Sequence, residues 1–206
     1  MAAINAWLYL DQMRLSSYWP EGADLEYNEF ITRYQAGEAS LENCHFLTSR
    51  QVRAFELALE ADKYLPKVPS IDVPRAIDPD IIALNDPDEN ALVIVTSNNT
   101  FTFDVLISIW SQGVTPAFLA PVDCQGNTVD MAMVFEKFTP EALKESLGKI
   151  DLEGRLSHHT AIVPGLAAPL AKEFEQVTGW NIEVGPVCAA EIPLFLGERW
   201  IFPETL

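Results

Sequence analysis

Short apolar runs separated by polar turns fill the second half of the chain and predict alternating strands and helices. Runs rich in β-branched or aliphatic residues predict four strands, at residues 92–95, 117–122, 160–163 and 182–184. Apolar residues at helical spacing predict helices at 102–112 and 167–177, and Thr139 followed by Pro140 marks the start of a further helix. Strands that alternate with helices are typical of an α/β fold with a mostly parallel sheet.

The stretch from residue 158 to 195 contains the clearest strand–helix–strand unit. Its first strand is closed by Pro164-Gly165, its helix ends at Gly179, and its second strand turns at Gly185-Pro186. Two strands joined by one helix over so short a distance pair in parallel. Because ligands of open α/β sheets bind outside the carboxyl ends of the strands, the turns at these glycines predict a ligand crevice.

The first part of the chain has a different pattern, with aromatic residues at helical spacing. It predicts helices at about 4–13, 25–35 and 49–64, the last one capped by Ser49. Residues 66–90 carry five prolines among aspartates, which is typical of a linker or an extended wrap. We therefore expect a small helical domain at 1–66, a linker at 67–90 and a Rossmann-like domain at 91–206. The fold class is α/β, an open sheet with helices on both faces.

The charge and the cysteines limit the classes of partner and compartment. A net charge of −17 argues against binding to nucleic acid or to an anionic membrane, because both require basic surfaces. The three cysteines lie far apart and form no CxxC pair, which fits a reducing cytoplasm. The first residues lack the pattern of a signal peptide, and no stretch approaches the roughly twenty apolar residues of a membrane span. We expect a soluble cytoplasmic protein.

Four loops follow the predicted strands, at residues 97–100, 123–131, 164–168 and 185–190. They are rich in small residues and amides and nearly without lysine or arginine. Such a rim suits a large flat ligand with amides and a phosphate on its periphery, held by backbone N–H groups. A dinucleotide fits less well, because the chain has no GxGxxG motif followed by an acidic residue at ribose distance.

Four motifs on these loops carry a resemblance to a known family. TSNNTFTF, VDCQGNTVDMAMVFEKFT, HHTAIVPG and TGWNIEVGPVCAAEIPLFL resemble the corrinoid-binding domain of the corrinoid/iron-sulfur protein large subunit, the gamma subunit of acetyl-CoA decarbonylase/synthase. The resemblance covers about residues 91–200 and keeps the order and spacing of all four loops. It implies a cobamide such as cobalamin as cofactor, because that subunit carries methyl groups on cobalt in the acetyl-CoA pathway.

The resemblance also implies which residues of this chain contact the corrinoid. The first loop contributes one amide and two hydroxyl side chains. A cap segment at 128–137, of which we interpret residues 128–135 as a helix, lies under the cobalt. The third and fourth loops contribute small residues and prolines. The implied contacts are Asn98, Thr100, Thr102, Thr128, Met131, Ala132, Pro164, Gly165, Ala167, Gly185, Pro186, Cys188 and Ala189.

Some of these residues allow two interpretations. Met131 stands where the family has a threonine below the cobalt, so its thioether is a candidate weak cobalt ligand, the alternative being apolar packing. Cys188 begins the last predicted helix, where the dipole favours a reactive thiolate, the alternative being a small buried residue against the ligand. His158 and His159 could bind a metal, but adjacent strand residues point to opposite sides, so one packing and one exposed histidine is expected.

The first part of the chain resembles the same family's small iron–sulfur domain in altered form. FITRYQAGEASLENCHFLT carries that domain's last helix and its final cysteine, Cys44. The family's other cysteines follow a C-x2-C-x4-C spacing that falls here on Trp19, Gly22 and Tyr27. One thiolate out of four cannot hold a cubane cluster, so we expect no iron–sulfur cluster. The family's TIM barrel has no counterpart, and the proline-rich segment stands in its place.

The residues and the resemblance leave two candidate functions. The first is a cobamide-binding methyl carrier or corrinoid shuttle in one-carbon metabolism, with a methyltransferase or corrinoid-reactivating protein as partner. The second is a chaperone-type or cofactor-free module that acts through partner contacts, which the altered cap residues favour. No Ser-His-Asp or Cys-His arrangement supports hydrolytic chemistry, so at most the chain is a component of corrinoid-dependent methyl transfer. An absorption spectrum of the purified protein separates the two functions.

Overall fold

A five-stranded sheet lies at the centre of the computed structural model, which describes residues 13–67, 74–152, 154 and 156–204. The predicted helix at residues 4–13 lies outside this part, apart from Met13. The strand order across the sheet is β1-β3-β2-β4-β5. The strands are β1 Ile82–Leu84, β2 Leu92–Ser97, β3 Ala117–Val122, β4 Thr160–Val163 and β5 Asn181–Val184.

The four predicted strands are present and pair in parallel, as the helices between them require. The fifth, β1, pairs antiparallel with β3, with Ile82 opposite Leu119. It lies within the segment predicted as a linker, which therefore contributes an edge strand. A strand of three residues among prolines and aspartates gives too short an apolar run to be recognised from the sequence.

Within the described residues, seven α-helices lie between and around the strands. They are α1 Tyr27–Gln35, α2 Ser49–Leu59, α3 Thr100–Trp110, α4 Val129–Val134, α5 Pro140–Leu152, α6 Ala171–Thr178 and α7 Ile192–Leu196.

Side-chain caps start helices α2 and α5, and the sequence predicted one of these caps correctly. Thr139 caps α5 as predicted, since its hydroxyl accepts the N–H of Ala142 at 3.2 Å. The cap of α2 is Thr48, not Ser49: its hydroxyl accepts the N–H of Gln51 at 3.2 Å. The predicted 49–64 helix ends at residue 59, and the predicted 167–177 helix is a 3-10 turn at Gly165–Leu170 followed by α6.

Helices cover both faces of the sheet, which confirms the predicted α/β fold class. On one face Val93 and Val95 of β2 join a buried cluster with side chains of α5 and α6. On the other face Ile94 joins a cluster that includes Ile109 of α3 and Trp200. Successive side chains of a strand point to opposite faces, so a fully apolar strand such as β2 serves two cores at once.

The N-terminal helices pack around an aromatic cluster. The ring of Trp19 lies 4.8 Å from that of Phe30, 5.2 Å from Phe46 and 5.3 Å from Phe55, measured between centroids. From α2, the guanidinium of Arg50 donates to the backbone oxygens of Gly197 and Trp200 at 3.1 and 3.0 Å. These bonds tie α2 to the chain that follows α7.

Residues 74–80, called the strap from here on, run over the carboxyl ends of β2 and β3. Ala76 pairs antiparallel with Asn99, and the N–H of Arg75 donates to the carbonyl of Gly126 at 3.0 Å. The Lys149 ammonium of α5 donates to the carbonyl of Pro79 at 2.7 Å. The strap is therefore held on the sheet edge at both of its ends. Within the part of the chain described, no helix has the length and apolar character of a membrane span.

Candidate functional site

A cavity of about 290 Å³ opens at the carboxyl edge of the sheet, between β2 and β4. The connection from β2 leads to β3 on one side, whereas β4 lies on the other side of β2. Such a reversal of strand order is the switch point at which open α/β sheets form their ligand crevice. The cavity therefore lies where the order of the strands places a ligand site.

The cavity is lined mostly by apolar side chains from α3, α7 and the ends of β2 and β4. Its lining also includes the first residues of α4 and the loop that follows β5. The residues are Ile94, Val95, Thr96, Phe101, Thr102, Val105, Leu106, Thr128, Val129, Asp130, Ile162, Val163, Pro164, Leu166, Gly185, Pro186, Val187, Cys188, Ala189, Ile192, Phe195 and Leu196.

Exposed apolar side chains lie on or next to elements that line the cavity, and we call these four residues the rim. Val134 is 71% exposed and Phe135 52% exposed, at the end of the helix whose first turn lines the cavity. Leu166 and Val184 follow at 38% and 37%, beside the ends of β4 and β5. Exposed large apolar residues near a cavity are candidates for a surface that a ligand or partner covers.

The structure brings together seven of the residues that the resemblance assigned to the corrinoid. All seven line the cavity, and they come from each of the four predicted loops or from the turn that follows it. They are Thr102, Thr128, Pro164, Gly185, Pro186, Cys188 and Ala189.

Three further predicted residues lie just behind the cavity lining. The N–H of Gly165 donates to the carbonyl of Pro186 at 2.9 Å, and a Cβ atom on Gly165 would lie 2.7 Å from Val187 N. Glycine at this position therefore lets the loops after β4 and β5 touch. Ala132 and Ala167 are fully buried in the core on the α5 and α6 face. As ligand contacts these residues stay predictions.

Asn98 and Thr100 are not brought to the cavity lining. The Asn98 carboxamide oxygen accepts the N–H groups of Cys124 and Gly126 at 2.8 and 3.1 Å, and its nitrogen donates to Asp123 at 3.1 Å. The hydroxyl of Thr100 donates to the strap carbonyl of Arg75 at 3.1 Å. These polar groups, which resemble a ligand-binding loop in sequence, hold the loop after β3 and the strap in place.

The cap segment forms the predicted helix, α4, but turns a different side chain to the cavity than the one expected. Asp130 lines the cavity, whereas Met131 is half-buried and is absent from the lining. The hydroxyl of Thr128 donates to the Asp130 carboxylate at 2.5 Å. Met131 as a cobalt ligand stays a prediction, and the lining favours its packing alternative.

Cys188 lies in the cavity wall and is only 3% exposed. Burial raises the pKa of its thiol to about 12, and the N–H of Ala190 lowers it less. Burial also raises the pKa of Cys124 to about 12. Burial therefore favours the protonated thiol and supports the interpretation of Cys188 as a small buried residue. Its contact with a ligand stays a prediction.

The two histidines have structural contacts away from the cavity. One ring nitrogen of His158 lies 3.1 Å from the carbonyl of Ala91, and the other accepts the N–H of Thr160 at 3.2 Å. The ring of His159 packs edge-on against Trp180 at 5.3 Å. Among the residues that the structure describes, no group of three or more histidine, cysteine or acidic side chains could hold a metal ion.

The positions that match cluster cysteines in the iron–sulfur domain have structural roles here. Trp19 lies at the centre of the aromatic cluster and donates its ring N–H to the carbonyl of Leu25 at 2.8 Å. Gly22 occupies a turn with a φ of +74°, and Tyr27 begins α1. Cys44 is buried, and burial raises the pKa of its thiol.

Sequence reasoning missed the residues that form the long walls of the cavity. These are Val105 and Leu106 on α3 and Ile192, Phe195 and Leu196 on α7. On α7, Phe195 and Leu196 follow Ile192 by three and four residues, and on α3, Val105 and Leu106 follow Phe101 and Thr102 by four. This spacing is the signal that could have identified them, because such positions share one helix face. Glu191 was also missed: it is 2% exposed, and among the described residues its Oε1 has no hydrogen-bond partner.

Comparisons with known proteins identify the family of the chain. A family model described as CO dehydrogenase/acetyl-CoA synthase delta subunit matches residues 66–196. The acetyl-CoA decarbonylase/synthase complex subunit gamma of Methanopyrus kandleri is 32% identical over 123 residues, 60% of this chain and 27% of that protein. The corrinoid/iron-sulfur protein large subunit of Moorella thermoacetica is 31% identical over 123 residues, 60% of this chain and 28% of that protein.

The chain spans only about a quarter of the length of these relatives. The family description names a delta subunit, whereas the relatives are named gamma or large subunits. Both names concern one enzyme complex or its corrinoid/iron-sulfur counterpart, which confirms the resemblance noted from the motifs. Because the family model covers more than half of the chain, this chain belongs to the CO dehydrogenase/acetyl-CoA synthase delta subunit family.

Proposed function

We propose that this chain binds a corrinoid at the cavity and its rim and serves as a methyl carrier or corrinoid shuttle. The observation that carries the proposal is a mostly apolar cavity at the switch point of the sheet, in a chain of this family. Ligand pockets are concave and mostly apolar with a few placed polar groups, and this cavity has that composition.

The lining of the cavity suits part of a corrinoid. Its walls from α3 and α7 are apolar, and its volume of about 290 Å³ leaves room for a planar heterocycle between them. The macrocycle is then expected on the rim formed by Val134, Phe135, Leu166 and Val184, with the detached nucleotide base in the cavity.

When bound, the cofactor supplies a cobalt ion that accepts and donates a methyl group. The chain's own residues bind it and exclude water. Val105, Leu106 and Ile192 present apolar walls to the detached base. Thr102 and Thr128 offer hydroxyl groups for hydrogen bonds in a mostly apolar lining. Gly185 lets the backbone approach the ligand closely because it carries no side chain.

The proposed function also requires a protein partner. The relatives are named as subunits of the acetyl-CoA decarbonylase/synthase complex. We infer that a methyltransferase or a corrinoid-reactivating protein docks on this chain and completes the transfer. No reaction of the whole complex is assigned to the chain alone, since it spans only part of those subunits.

Calorimetric titration with cobinamide and with cobalamin tests the proposal. Wild-type protein should bind both, and Ala189→Trp, which fills the cavity, should lose cobalamin binding while remaining folded. Ala36→Trp, on an exposed position after α1, is the matched control and should bind as wild type. Absence of binding by folded wild-type protein at high micromolar ligand would overturn the proposal.

The strap favours the second function, a module that acts through partner contacts without a cofactor. Asn98 and Thr100, which resemble ligand contacts, already bond to the strap and to the loop after β3. The same titration separates the two functions, because only the first requires corrinoid binding. Retained binding to a partner protein by chain that binds no corrinoid would establish the second.

A further inference from the structure

We propose that Asp130 selects corrinoids whose peripheral side chains are amides over corrinoids whose side chains are free carboxylates. The inference rests on the proposed function and names the ligand class that the site accepts. It concerns a residue that the motifs did not assign to the ligand.

Asp130 is the single charged residue among the described residues that line the cavity. The other polar side chains there are hydroxyl or thiol groups, from Thr96, Thr102, Thr128 and Cys188. None of these can neutralise a carboxylate, because each is uncharged at neutral pH. The charge of Asp130 therefore faces an apolar cavity without a cation in the lining.

The position of the carboxylate is fixed by its neighbour. The hydroxyl of Thr128 donates to Asp130 Oδ1 at 2.5 Å, and Thr128 itself is buried at the start of α4. A short hydrogen bond of this kind holds the side chain at the cavity mouth and removes rotamers that point away. Asp130 stays exposed, so it can meet groups on the ligand periphery.

The chemistry of a carboxylate then decides between two kinds of corrinoid. It accepts charge-assisted hydrogen bonds from the N–H₂ groups of a primary amide. It repels a ligand carboxylate, which offers no donor and adds a like charge. Because the site is exposed and screened by salt, the effect on the ratio of the two affinities is about tenfold.

The experiment compares dissociation constants for cobinamide, which carries amides, and for cobyrinic acid, which carries carboxylates on the same ring. Wild-type protein should prefer cobinamide, and Asp130→Asn should reduce that preference about tenfold. Asp130→Glu, which keeps the charge, should retain most of the preference. Asp104→Asn, an exposed change of the same charge on α3 and outside the cavity, should leave the ratio unchanged.

The outcomes are distinct. Wild-type protein that binds neither corrinoid overturns the proposed function, and this inference with it. Wild-type protein that binds cobinamide, with an equal ratio in Asp130→Asn, overturns the inference alone. Equal reductions in Asp130→Asn and Asp104→Asn overturn it as well, because they would reflect the net charge of −17 and not the cavity residue. In support, the wild-type preference should shrink in about 1 M salt, where charges a few ångströms apart are screened.

Discussion

The backbone nitrogen of Ala76 lies 2.5 Å from the point that a Cβ atom on Gly126 would occupy. Gly126 has a φ of +74°, so the position also disfavours a side chain on conformational grounds. The strap thus packs directly on the backbone of the loop after β3. This contact covers the β2 and β3 half of the sheet edge and leaves the cavity between β2 and β4 open.

Gly126→Ala should destabilise the fold by about 3 kcal/mol, because the new methyl group clashes with the strap in addition to the strain of a positive φ. Gly22→Ala is the matched control, since its φ is also +74° and nothing lies within 4 Å of its Cβ position. That variant should lose only about 1 kcal/mol. Urea denaturation measures both, and equal losses would show that the strap does not pack on Gly126.

Asn98→Asp should destabilise the fold without acting through the ligand. Asn98 is 2% exposed, and its amide nitrogen donates to the Asp123 carboxylate. An aspartate there removes the donor and places two carboxylates together, which should cost about 3 kcal/mol. Asn28→Asp, an exposed change on α1, should change stability by less than about 0.5 kcal/mol. A stable Asn98→Asp variant with weakened corrinoid binding would instead make Asn98 a ligand contact.

Glu191 links α7 to the first described residues of the chain. Burial raises the pKa of its carboxyl group, whereas the N–H groups of Arg14 and Cys188, the hydroxyl of Tyr18 and the charge of Arg14 lower it, with a net rise. The folded pKa therefore lies above the unfolded value of 4.5. The fold favours the protonated carboxyl of Glu191. Its contribution to the free energy of unfolding is therefore fully present below pH 4.5 and is lost as the pH rises through the folded pKa.

Glu191→Gln removes this titration. The variant should gain stability relative to wild type as the pH rises from 4.5 towards neutrality, since its amide carries no charge to bury. Urea denaturation at a series of pH values measures the difference. Glu21→Gln, at an exposed position, is the matched control for the change of residue type. A Glu191→Gln difference that is constant with pH would contradict the argument.

Met131→Ala tests the packing of α4 against the alternative of cobalt ligation. Met131 does not line the cavity, so the EPR spectrum of bound cobalt(II) corrinoid should be the same in the variant and in wild type. Stability should fall by about 1–2 kcal/mol, because the side chain is half-buried. Met133→Ala, also partly buried against the core, is the control. A changed cobalt spectrum in Met131→Ala alone would establish the sulfur as a ligand.

The parts of this fold that the sequence predicted are those where the apolar pattern is long enough. The strands at 117–122 and 160–163 have the predicted ends, because a polar or proline-containing turn bounds each of them. Strand β1 was missed because three residues cannot show a period. Whether Asp130 or Met131 lines the cavity depends on the rotation of α4 about its axis. A helix of six residues has too few apolar positions for the sequence to predict that rotation.

The strap shows why polar loop residues are harder to assign than strands. Asn98 and Thr100 have the residue types that a ligand-binding loop needs, and the same types also satisfy backbone groups of a neighbouring segment. Which of these roles they have depends on where residues 74–80 lie, and proline-rich segments have no periodicity that places them. The partner of such a side chain is decided by tertiary packing and not by local pattern.

Corrinoid retention measures the central claim most directly. Purified wild-type chain is mixed with cobalt(II) cobalamin under anaerobic conditions, separated from free cofactor by gel filtration and examined by metal analysis and EPR. The account predicts about one cobalt per chain and a spectrum without the nitrogen splitting of an attached lower base, because the cavity holds that base away from the metal. Protein that elutes without cobalt, or with a base-on spectrum, would contradict it.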